Sequence, residues 1–357
     1  MSVLRPKPPE DPIAYRPSAS SGTGIRATAA RDDGLEGWLE RLDFTRTAVV
    51  ADPPERLLED YTTAGARGVS ELFRILQTAS QIRDTVDRVI VVGDGCSALA
   101  AQASFESCAH PFHNELSRGE RGGRPRLSFV GSPLDRDRLP GLLDLVAPAG
   151  TPRSDDVLDQ WAILLLGADT ASVAQALSIG AHSVFPIPED VGAEASVFTA
   201  AGLLPAAIAG IDVVRLLQGA TAMNRRFREA PVAENPVLQF AAAAGMAKQG
   251  MDAAMRLSAG SHQSLETLCR WHDRLRGLPD GRAALFTDLS VAEPRRGRLA
   301  MPDMPVAAEP IPPRILLPRV DEHAVGQLLQ MLSLATLFSA DPATTACPND
   351  PSSAGRV

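Results

Sequence analysis

Apolar residues along the chain fall into two patterns, short unbroken runs and stripes spaced by three and four residues. The first marks strands buried on both faces and the second marks helices lying against them. Val89 to Val92 is such a run, and Gly93, Gly95 and an Ala-rich stretch follow it. This predicts a strand, a tight turn and a helix from Ser97 to Cys108, with Ser97 as its cap. Further runs predict strands at Leu127 to Val130, Ala162 to Leu166 and Ser183 to Ile187, with helices at Leu139 to Val146 and Ala171 to Ile179 between them. Ser196 to Leu217 is apolar all round and reads as one long buried helix despite Pro205. Stripes at Leu35, Trp38, Leu39 and Leu42, and at Leu72, Ile75, Leu76 and Ile82, predict amphipathic helices over the sheet. Asn235 and Pro236 have the residue types of a helix cap and first turn. From Gly250 the text thins to a short strand-helix-strand unit. Strands alternating with helices give an α/β fold with a doubly wound parallel sheet.

The remaining text predicts little regular structure. Residues 1–33 are rich in proline and small polar residues and read as a loose tail. Residues 292–318 are dense in proline and arginine and read as a connector, and residues 341–357 as a polar tail. This leaves 34–230 as a first domain with a helical cover, and 231–340 as a reduced second unit.

Composition narrows the function. With 45% hydrophobic and 22% charged residues the chain can bury a sizeable core. A net charge of -8, with lysine only at Lys7 and Lys248, argues against nucleic acid as a partner. Cys96, Cys108, Cys269 and Cys347 lack metal-ligand spacing, so reduced thiols and a cytoplasmic setting are expected. The N-terminus has no signal pattern and no run reaches membrane-spanning length, so no membrane role is expected. No cofactor or metal is implied.

In an open parallel sheet, ligands gather beyond the carboxyl ends of the strands. Two turns should open there. Gly93, Gly95 and Ser97 form the first, where a helix N-terminus offers unpaired N–H groups to an anion. The turn at Gly167 is the second. Cys96 is either a reactive thiol at a helix N-terminus or a small residue filling the turn. His110 and His113 are either acid-base groups or structural hydrogen-bonding residues. His262 and His272 have no motif around them.

Longer blocks carry a family resemblance. PFHNELSRGERGGRPR (111–126), VGAEASVFTAAGLLP (191–205) and VDEHAVGQLLQMLSLATLFSA (320–340) resemble segments of the glucose-6-phosphate isomerase family, whose fold is the sugar-isomerase type. The resemblance implies sugar-phosphate binding, aldose-ketose isomerisation and a homodimer through the 320–340 helix. Against the family's pattern, Glu194 stands where the resemblance expects an arginine, and the turn 166–172, where it expects a lysine-bearing phosphate cradle, keeps the hydroxyls of Thr170 and Ser172 but has no lysine and adds Asp169. Asp94 replaces an apolar turn residue. The family's carboxylate base has no matching segment between Arg282 and Pro318; the nearest carboxylates are Asp288 and Glu293. His323 on the implied interface helix reads as a packing residue rather than the family's ring-opening histidine. Two like charges about 5 Å apart repel by roughly 3 kcal/mol at an effective dielectric near 20, so one inward carboxylate would weaken phosphate binding strongly. Either Asp94, Asp169 and Glu194 face the crevice and the reaction is lost or altered, or they face solvent and an active isomerase draws its groups from other segments.

Overall fold

A computed structural model describes residues 12–16, 39, 53–63, 65–93, 95–130, 161–166, 185, 196–251, 253–260, 262–278, 284–293 and 313–339. The first sheet forms as its apolar runs predict. Strand β2 (Arg88–Gly93) lies between β3 (Arg126–Val130) and β4 (Trp161–Leu166), all parallel. Val89 to Val92 are buried on both faces. The expected elements at 139–146, 171–179 and 183–187 lie outside the described residues.

Two helices precede this sheet in the chain and pack against each other, α1 (Pro53–Thr62) and α2 (Glu71–Thr85). Ser70 caps α2 by accepting the Phe73 N–H at 3.3 Å, and Leu72, Ile75 and Ala79 form its buried stripe. Helix α3 (Gly95–Cys108) follows β2 directly. It starts two residues earlier than expected, so Ser97 lies inside the first turn rather than at the cap.

The long helix expected over 196–217 is two helices. A 3-10 turn at Ser196–Phe198 leads into α4 (Ala200–Ile208), and α5 (Val213–Glu229) follows a sharp corner. Gly210, at φ +82°, ends α4 in a left-handed conformation, and the Asp212 carboxylate caps α5 by accepting the Arg215 N–H at 3.0 Å. An all-apolar pattern hides this corner; Gly210 and Asp212 are its only markers. Helix α6 (Pro236–Met251) begins as predicted, with the Asn235 side-chain oxygen accepting from Val237 at 3.2 Å and Leu238 at 3.4 Å.

The second unit is more complete than its sequence suggests. Strand β5 (Ala254–Ser258), helix α7 (Glu266–Leu275) and strands β6 (Ala284–Glu293) and β7 (Arg314–Arg319) precede α8 (Glu322–Ser339). The sheet order is β1-β7-β6-β5. Strands β5, β6 and β7 run parallel, and β1 (Ala14–Arg16) adds antiparallel to β7. Two expectations are thus corrected. Three residues of the N-terminal tail are a paired edge strand, because Ile13 and Tyr15 are apolar enough to bury. Residues 314–318 belong to a strand rather than to the connector.

Helix α8 also differs from expectation. Residues 323–336 are all buried within the chain, against α5 and α6. Gly219 and Gly326 make this possible: a Cβ on either would fall 2.0 Å from a carbonyl oxygen of the facing helix, His323 or Leu216. The polar stripe of α8 is satisfied internally, with Gln330 donating to Asn224 at 2.5 Å and Gln327 meeting both His323 at 3.1 Å and the Ile13 N–H at 3.5 Å. Most of the helix expected to form a homodimer, residues 323–336, is thus packed inside this chain.

Candidate functional site

The first predicted turn stands at the carboxyl end of β2, as parallel-sheet topology requires. Gly93 serves the sheet: a Cβ there would lie 2.8 Å from the Leu166 carbonyl oxygen and 2.9 Å from its Cβ, so β4 could not close on β2. Gly95 serves the space above. Its φ of +75° turns the chain into α3, and a Cβ placed on it meets nothing within 4 Å among the described residues. Ser97, partly exposed, lies in the first turn of α3 among N–H groups that have no intrahelical acceptor. The backbone at Gly95 is thus open to an approaching anion, with the positive end of a 14-residue helix behind it.

Cys96 faces the other way, 2% exposed, and is disulfide-bonded. That corrects the expectation of reduced cysteines throughout and removes Cys96 as a reactive thiol. Cys108 and Cys269 are free, and burial pushes the Cys269 thiol up to about 12. Asp94, Asp169, Thr170, Ser172 and Glu194 lie outside the described residues. Of the named site residues, Gly93, Gly95 and Ser97 come together.

The two candidate bases are sheet residues. Asp288 sits within β6 opposite Arg314, with its N–H bonded to the Pro313 carbonyl at 2.9 Å, and Glu293 ends the same strand opposite Arg319. Neither belongs to the Gly95 turn.

The block 111–126, one of those that carry the family resemblance, lies at the opposite end of the first sheet. There it builds a hydrogen-bonded loop between α3 and β3. Asn114 bridges to β3 by donating to the Leu127 carbonyl at 2.7 Å and accepting its N–H at 3.0 Å. The Asp87 carboxylate, just before β2, receives Arg118 at 3.0 Å, Arg121 at 3.2 Å and Arg126 at 2.9 Å. The Arg121 side chain has no exposed surface; it also donates to the Arg124 carbonyl at 2.9 Å and to Leu116. Arg118 donates to the Val86 and Arg83 carbonyls at 2.9 Å each. Asp87 is the residue that reading the sequence missed; its signal is an acid at the mouth of a strand ahead of an arginine-dense loop.

The histidines take structural places. His113 is 6% exposed and its Nε2 lies 3.0 Å from the Pro125 carbonyl, which accepts; burial, reinforced by Arg121 and Arg124, holds its pKa below the ordinary value. The His110 Nδ1 accepts the Phe112 N–H at 3.1 Å. His323 is buried, bonded to Gln327. His272 is fully buried beside Phe240, and desolvation drives its pKa far down. His262, in the turn after β5, is lowered by partial burial. Among the described residues no cluster of His, Cys, Asp and Glu could hold a metal ion, and no helix is long and apolar enough to cross a membrane.

Comparison with known proteins agrees with this geometry. Residues 153–278 match the phosphoglucose isomerase family. Glucose-6-phosphate isomerase of Symbiobacterium thermophilum is 31% identical over 256 residues, 61% of this chain and 56% of that one. The Heliobacterium modesticaldum enzyme of the same name is 28% identical over 60% of this chain and 53% of its own. The chain therefore spans about half the length of the curated relatives it matches. Among solved structures, a glucose-6-phosphate isomerase from Chlamydia trachomatis superposes with a TM-score of 0.62 at 12% identity, covering 88% of this chain and 82% of that one. A hypothetical protein from Thermus thermophilus gives 0.58 at 19% identity, over 91% and 93%. These two share the fold. The sequence likenesses thus make this chain similar to glucose-6-phosphate isomerases over about 60% of its length.

Proposed function

We propose that the chain binds a sugar phosphate, or a related small phosphorylated molecule, beyond the carboxyl ends of β2 and β4 and does not isomerise it at an enzymatic rate. The open left-handed turn at Gly95, with Ser97 in the first turn of α3, is the observation that carries the binding half of this reading. A phosphate seated there would meet backbone N–H donors and the helix dipole, with Thr170 and Ser172 as further hydroxyl donors.

The loss of catalysis rests on chemistry. Moving a proton between neighbouring carbons needs a carboxylate base over the substrate and a cation for the enediolate oxygen. Glu194 stands at the resembled arginine, and Asp288 lies on β6 of the second sheet rather than at the Gly95 turn. Such a protein would act in the cytoplasm as a sensor or regulatory binder of sugar phosphates.

Two measurements on the full chain test the reading. In heavy water with fructose 6-phosphate, an active isomerase places solvent deuterium on carbon 2 of the glucose 6-phosphate formed; incorporation at an enzymatic rate overturns the non-catalytic half. A thermal melt with 6-phosphogluconate tests the binding half, with stabilisation of about 2.7 kcal/mol expected at a hundred times Kd. No shift at millimolar ligand overturns it.

A further inference from the structure

A cavity lies at the other end of α3. Between the 111–126 loop and the α4–α5 corner is a cleft of about 200 Å3, lined in part by His110, His113, Arg121, Arg124, Gly210 and Glu322. Cys108 and Ala109 also line it, so the full length of α3, roughly 20 Å at 1.5 Å per residue, separates it from the Gly95 turn. The two arginines differ in how they are used. Arg121 is spent on Asp87 and on the Leu116 and Arg124 carbonyls. The Arg124 guanidinium has no hydrogen bond or ion pair within the described residues. It is nonetheless held in place: a Cβ on Gly210 would fall 1.7 Å from Arg124 Nε, so the side chain lies flat in a slot that only glycine leaves open.

The surroundings favour an anion there. His110 accepts the Phe112 N–H through Nδ1, which leaves Nε2 as its proton-bearing nitrogen. Behind the cleft, Arg118, Arg121 and Arg126 share the single carboxylate of Asp87. Two acids also line the cavity. Glu120 is bonded to the Ser117 N–H at 2.9 Å and its hydroxyl at 2.7 Å. Glu322 sits in the first turn of α8, where the helix dipole offsets its charge. A fixed guanidinium without a counter-ion, in a cavity smaller than most drug-sized pockets, suits a compact oxyanion.

We infer that this cleft is an oxyanion site distinct from the sugar-phosphate crevice, in which Arg124 holds the phosphate or carboxylate group of a small metabolite.

Arginine modification by phenylglyoxal, mapped by peptide mass spectrometry on the full chain, tests this one residue at a time. Arg124 should react faster than Arg121. Inorganic phosphate or succinate should protect Arg124 saturably, by about tenfold at ten times Kd, while chloride of equal ionic strength should not; the better protector of the two identifies the head group. Glu322→Gln should lower the half-protecting concentration about two- to tenfold by removing a nearby like charge. Ser97→Ala should leave Arg124 protection unchanged, which separates this site from the crevice. Protection that chloride matches, that neither oxyanion gives, or that Ser97→Ala abolishes overturns the site, and so does a Glu322→Gln variant that binds no better.

Discussion

The two ends of the first sheet contrast in how they use polar residues. At the amino end, Asp87, Asn114, Arg118, Arg121 and Arg126 are almost wholly consumed by one another and by backbone carbonyls. At the carboxyl end, Gly95 is bare and the turn leaves its donors to whatever binds. The amino end, which carries one of the resembling blocks, is therefore a staple. A long recognisable block is a guide to ancestry before it is a guide to activity.

Breaking the amino end should have the largest effect. Asp87→Ala leaves the buried Arg121 without its carboxylate and should cost about 3 kcal/mol of stability, read as a lowered denaturant midpoint. At the carboxyl end Gly93→Ala pushes a Cβ against the Leu166 carbonyl and should cost about 2 kcal/mol, because that neighbour is backbone and cannot swing aside. Acid should also act away from the crevice turn. His272 and His113 have folded pKa values below the ordinary 6.5, so the unfolded chain binds more protons and stability should fall as pH drops below about 6.5. Replacing His272 by a neutral side chain should flatten that part of the melting-temperature profile more than replacing His113, since His272 is the more deeply shifted. The smallest effect is expected from Ser97→Ala, under about 0.5 kcal/mol in stability, yet it should reduce the melt shift given by 6-phosphogluconate. A large stability loss with an unchanged ligand shift would erase the contrast between the two ends.

Much of the fold was legible because β2 and β4 are built on unbroken apolar runs and α6 carries its own Asn-Pro start. The failures have physical causes. Strand β7 contains Pro318, which argued against a strand; β1 pairs only as far as Leu316, so β7 has an open side beyond it that tolerates a proline. Helix α8 carries polar residues at Gln327, Gln330, Ser333 and Thr336. These side chains are buried, and Gln327, Gln330 and Thr336 find their acceptors or donors inside the chain. Periodicity reports which positions are polar, not whether water or protein satisfies them. Of the candidate site, the Gly93–Ser97 turn was legible because its topology follows from a strand, two glycines and a helix. The role of Asp87 was not, because ion pairs between a strand mouth and a distant loop leave no periodic trace.

Helix α3 starts at the crevice turn and ends tied to the second unit, where Ser107 donates to the Ser264 carbonyl at 3.2 Å and Thr267 donates to the Glu106 carboxylate. One continuous rod thus braces both sheets. A molecule that tugs on its first turn acts on a strut anchored at the far end.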